Sequence, residues 1–125
     1  PHKRGSTPLP RLNLKEDCYM FNLFDLPSPL PEEELFQPLI QNGDLLIERI
    51  ISTGQQTPPG TWYDQPRDEW VVLLQGQAIL AYEDGTALTL TPGDHVLIPA
   101  RQKHRVEQTS QEPPCIWLAI HGRLT

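Results

Sequence analysis

The chain has 125 residues, 14 of them proline and 8 glycine, with a formal charge of −6 and a pI near 5.1. That length supports one hydrophobic core and not two. The acidic balance argues against nucleic acid or an anionic membrane as partner, since either needs a clustered basic face.

No apolar run in the sequence is long enough to span a bilayer, and the N-terminus lacks the charged-then-apolar order of a secretion signal. The expectation is therefore a cytoplasmic protein that meets a small molecule. The two cysteines, Cys18 and Cys115, lie far apart without metal-like spacing, which fits idle or buried thiols in a reducing compartment.

In chain order, residues 1–19 mix proline, cations and polar residues without a period that buries a face, which predicts an extended or poorly ordered arm. Lys3, Arg4, Arg11 and Lys15 against Glu16 and Asp17 give it +2, which leaves −8 for the rest and −6 in all. Met20, the single methionine, marks the change of composition and is a candidate natural start, with the upstream residues an extension.

Residues 20–43 predict one short helix of about two turns. Pro31 suits a first turn, Glu32, Glu33 and Glu34 complement the positive helix end, Pro38 limits its length and Gly43 closes it.

Residues 44–125 read as one β domain. Strands are expected at 45–52, 62–63, 69–74, 77–83, 87–91, 95–98, 104–109 and 116–121, with turn material at 57–60, 83–85, 91–94 and 110–114. Many short strands with Gly/Pro punctuation and almost no helix predict an all-β sandwich or small barrel. In the strand 69–74, Glu69, Val71 and Leu73 share one face and Trp70, Val72 and Leu74 the other. Both faces are apolar, so the second needs cover from another sheet, the N-terminal segment or a second subunit, and a homodimer is expected.

Spacing adds chemistry to this pattern. Six residues separate Glu69 from Gly76, Gly60 stands upstream, and Gly93, Pro99 and His104 are spaced G-x5-P-x4-H. In these positions the region 60–108 resembles the cupins, whose two motifs run G-x5-H-x-H-x3,4-E-x6-G and G-x5-P-x-G-x2-H-x3-N. The resemblance implies a double-stranded β-helix, or jelly-roll barrel. It also implies a divalent transition ion, Mn, Fe, Ni, Cu or Zn, held by two histidines and a glutamate of the first motif and a histidine of the second. Glu69 and His104 keep their places. The two motif-one histidines are replaced by Tyr63 and Gln65 if the spacer is three residues, or by Trp62 and Asp64 if it is four. Asp64 is then the best additional donor, as a hard anionic oxygen, with Tyr63 and Gln65 as others. Arg101 stands at the family's glycine position and Gln108 at its asparagine.

Each residue also has a plainer reading. His104 on a strand is satisfied as a neutral, hydrogen-bonded histidine, and Glu69 as the outward end of a strand beside a solvated Asp68. Trp62 and Tyr63 suit either a barrel mouth or an ordinary rim. Arg101 suits an anion clamp or a turn, and Lys103 a solvated turn. His95 fits pocket or surface, while His121 and His2 read as surface residues. Two functions follow: a metal-dependent enzyme acting on a small molecule at the barrel mouth, or a metal-free module that binds a small ligand or regulates.

Overall fold

Period-two patterning becomes strand through most of residues 35–122 in the computed structural model, which describes residues 12–15 and 18–125. The strands are β1 (Leu12–Lys15), β2 (Cys18–Met20), β3 (Leu35–Asn42), β4 (Leu45–Ser52), β5 (Asp68–Gln75), β6 (Ala78–Tyr82), β7 (Ala87–Leu90), β8 (His95–Ile98), β9 (His104–Thr109) and β10 (Cys115–Gly122). No helix occurs among the described residues. One antiparallel sheet runs β3-β4-β10-β5-β8 and another β7-β6-β9, with β1 and β2 a separate pair. Strands distant in the chain, such as β4 and β10, lie side by side, and the two sheets enclose one core in a jelly roll. Val71 and Leu73 of β5, Leu80 of β6, Ile98 of β8 and Trp117 of β10 fill it. The inward face of β5 is thus the one that carries Glu69.

The helix expected within 20–43 is not formed; β3 occupies its place. Phe36 and Gln37 alternate across a strand that pairs with β4, and this pairing outweighs the helix-start signals. Pro38 is tolerated because β3 is a sheet edge, and the register shifts between Pro38 and Ile40. Gly43, at φ 60, does not end a helix but turns the chain into β4, with Asn42 opposite Leu45. The segment 62–63 is likewise no strand but a single bridge from Tyr63 to His104. The arm expected at 1–19 forms the β1–β2 pair where it is described, and residues 1–11 and 16–17 lie outside the described residues.

The outer face of the large sheet is covered in part by the chain's own N-terminal segment. Arg49 points outward from β4 yet is buried. Its Nε donates to Gln37 Oε1 at 2.8 Å, its Nη1 donates to the carbonyls of Leu23 (3.0 Å) and Asp25 (2.6 Å), and the guanidinium sits over the Phe21 ring at 4.6 Å. Further along the same face, Trp70 Nε1 donates to His95 Nδ1 at 3.2 Å, and Leu97, opposite Trp70 in register, remains 43% exposed.

Candidate functional site

Inward residues of both sheets converge on a cavity of about 360 Å³, within the size range of small-molecule sites. β4 contributes Glu48 and Ile50, β5 Glu69 and Val71, β10 Trp117 and His121, and β9 His104 and Val106. Apolar side chains make most of the wall, so its few ionisable groups stand out.

Those groups form a row of alternating carboxylates and imidazoles. Glu48 Oε2 lies 2.7 Å from His121 Nε2, with the residues 1% and 4% exposed. His121 stands directly opposite Glu69 in the β10–β5 register. Glu69 Oε1 lies 3.8 Å from His104 Nε2, with these residues 8% and 4% exposed. His104 Nδ1 is 2.9 Å from the Gln102 carbonyl. A carbonyl only accepts, so Nδ1 carries a proton and Nε2 is the atom turned to Glu69. The Tyr63 ring stacks on the His104 ring, with centroids 5.5 Å apart, and the two backbones exchange hydrogen bonds.

A second polar chain enters from β10. Trp117 Nε1 donates to Ser52 Oγ at 3.1 Å, and the Ser52 hydroxyl donates to Glu34 Oε2 at 2.5 Å. Burial pushes the Glu34 carboxyl above its ordinary range; the Ser52 bond opposes this in part, and the charge of Glu48 adds to it.

Of the residues singled out in the sequence, Glu69, His104, Asp64, Trp62, Tyr63 and Gln65 all line the cavity. Arg101 and Gln108 do not, and both expectations are corrected. Arg101 adopts φ 66, the left-handed backbone that its glycine position in the motif requires. Its N–H donates to the Gln65 carbonyl at 2.8 Å, and its exposed side chain reaches Asp64 Oδ1 at 3.4 Å. Gln108 follows a register shift between Val106 and itself that reverses the alternation of β9 and turns it to solvent. His95 is exposed on the outer face.

Three further readings change. His121 is buried in the site, not on the surface. Glu34 belongs to the cavity, while Glu32 and Glu33 are exposed. Asp68 is buried and accepts from the N–H groups of Leu124 (2.8 Å), Ala100 (2.8 Å) and Thr125 (3.0 Å), which hold its carboxyl below the usual range. Glu48 joins them without a motif to mark it, although the inward row Glu48, Ile50, Ser52 of β4 and the row Trp117, Ala119, His121 of β10 carry the same period as Glu69 on β5.

Among the described residues no three His, Cys, Asp or Glu side chains come together in an arrangement that could hold a metal. Glu69 and His104 offer two donors, and Asp64, at the rim, faces Arg101. The described residues therefore do not fit a transition ion bound by three or more side chains.

A sequence profile of the cupin domain matches residues 50–121. No curated protein matches the chain. Among solved structures, a protein of Ralstonia eutropha JMP134 that bears the provisional name mannose-6-phosphate isomerase is 45% identical, with 83% of this chain and 97% of that one covered at a TM-score of 0.78. A cupin superfamily protein of Desulfitobacterium hafniense DCB-2 superposes with a TM-score of 0.68 at 17% identity, covering 92% of this chain and 99% of that one. FeII HppE superposes with a TM-score of 0.60 at 10% identity, covering 70% and 49%, a likeness of fold alone.

Proposed function

We propose that this chain, which belongs to the cupin family, binds a small organic molecule in its barrel cavity and moves a proton on it by means of two carboxylate–imidazole pairs. The observation that carries this reading is the placing of two buried pairs in one cavity, Glu48–His121 within the large sheet and Glu69–His104 bridging from it to β9 of the other sheet. A proton taken by an imidazole is compensated by the carboxylate beside it, and the apolar surroundings keep that compensation strong. The Gln102 carbonyl holds His104 in the orientation that leaves Nε2 for exchange. Trp62 and Tyr63 supply flat contact for the ligand's carbon skeleton. Two exchange points in one cavity suit a reaction that removes a proton at one atom and returns it at the next. The name of the Ralstonia relative, an isomerase of a phosphorylated sugar, supports that class.

The test is deuterium uptake from heavy water at the carbon beside the carbonyl of hydroxyaldehydes and hydroxyketones, followed by proton NMR, with elemental analysis of the same protein purified without a chelating tag. The expected result is uptake with the parent that falls by about 100-fold in His104→Ala and in His121→Ala, on the scale of general acid–base contributions. Near one Mn, Fe, Ni, Cu or Zn per chain that disappears in both Glu69→Gln and His104→Ala, with uptake following the metal, replaces this reading by a metal-dependent one. Ligand binding without uptake replaces it by a metal-free binding or regulatory module. The face around Trp70 and Leu97 is, in the same reading, the contact of a homodimer, and the protein acts in the cytoplasm.

A further inference from the structure

We propose that Glu34 is a hydrogen-bond donor of this pocket, and that the pocket selects an uncharged ligand bearing hydroxyl or carbonyl oxygens over one bearing a phosphate. The inference rests on the cavity being a small-molecule site and names the ligand class it takes.

The geometry starts from Trp117. Its indole N–H has no acceptor capacity, so the 3.1 Å contact to Ser52 Oγ runs one way. The Ser52 hydroxyl proton is then directed to Glu34 Oε2, 2.5 Å away. With Oε2 engaged by Ser52, the other carboxyl oxygen is the one left to address a ligand in the cavity that Glu34 lines. The other carboxyl and imidazole groups that line this space with Glu34 are Glu48 from β4, His121 from β10, Glu69 from β5, His104 from β9 and Asp64. A second negative charge beside Glu48 is disfavoured where the walls are apolar, and burial acts in the same direction on Glu34. Both effects favour the protonated form over the ionised one, against the Ser52 bond, and in that form Glu34 donates from the oxygen that Ser52 leaves open, a role the ionised carboxylate cannot fill.

The same arrangement sets the charge of the ligand. A phosphate brought into a wall that carries Glu48 and Glu69 meets like charge and loses its hydration. Hydroxyl groups instead donate to the carboxylates and accept from Glu34, and the Trp62 and Tyr63 rings pack against C–H faces. Among the described residues that line the cavity there is no lysine or arginine to offset a phosphate; Arg101 is engaged outside it with Asp64.

Two measurements test this on the full chain. Infrared spectra at neutral pH report a protonated carboxyl through its C=O stretch. The band is expected in the parent and absent from Glu34→Gln, with circular dichroism confirming the fold of both. Calorimetric titration with D-mannose, D-fructose and their 6-phosphates reports the ligand class. A neutral sugar is expected to bind at least about tenfold more tightly than its phosphate, to lose about tenfold in Glu34→Ala, and to bind Glu34→Gln, whose amide still donates, close to parent strength. A missing band, a band retained in Glu34→Gln, tighter binding of the phosphates, neutral-sugar affinity unchanged in Glu34→Ala, or no binding by any of the four sugars each overturns the proposal. Tighter phosphate binding leaves the proton-transfer reading standing, whereas unchanged deuterium uptake in His104→Ala and His121→Ala removes that reading and leaves the Glu34 donor as found.

Discussion

Glu34 carries a cost that its neighbours explain. Its folded carboxyl is pushed up, so between its ordinary range and the raised one the folded chain holds a proton that the unfolded chain has released. Stability then falls as pH rises through that window. Glu34→Gln removes the titration, and the variant is expected to be more stable than the parent at neutral pH, with the difference vanishing at acid pH; urea titrations at both values check the sign. The sequence places Glu34 in a run of three glutamates that look alike. Which of the three turns inward depends on the entry of β3 into the sheet, a long-range pairing that no local pattern encodes. His121 was hidden for a related reason: a histidine near the end of a strand reads as surface until β4 and β5 are known to flank it.

The sheet elements follow local chemistry closely where turns are strong. β4, β8 and β9 occupy the spans expected from alternation between Gly- and Pro-rich links. Gly76, the last residue of the first motif, shows why that motif needs glycine. It has φ +92, and a Cβ there would stand 2.7 Å from Ser110 Oγ, 2.8 Å from Cys115 Sγ and 3.0 Å from Cys115 Cα. Strained backbone and close contact with main chain act together, so Gly76→Ala is expected to lose about 2–4 kcal/mol in urea unfolding. β3 and the shift in β9 were illegible for the opposite reason. Pro38 argues against a strand unless the strand is known to be an edge, and a single extra residue opposite Ile79 reverses which side of β9 meets solvent.

At the scale of the molecule, the barrel was legible because many independent turn and period signals agreed, and the spacing from Glu69 to His104 located one end of the cavity. The other pair, Glu48 with His121, belongs to strands 70 residues apart at their first members, which only the sheet order brings together. The outer face of the large sheet is divided in the structure: the N-terminal segment is tied to Arg49 of β4, while Leu97 of β8, opposite Trp70, stays open. If two copies meet on the open part, Leu97→Glu places charge in that contact, and sedimentation is expected to find a dimer for the parent and a monomer for the variant, each with unchanged circular dichroism.

The N-terminal segment reaches both sides of one sheet. Leu23 and Asp25 are fastened to Arg49 behind it, and Glu34, nine residues after Asp25, is fastened to Ser52 in front. The chain between them is a belt drawn around the β3 edge with a buckle on each side. A cation that does not line the pocket and a carboxyl that does are thus the two ends of one short strap.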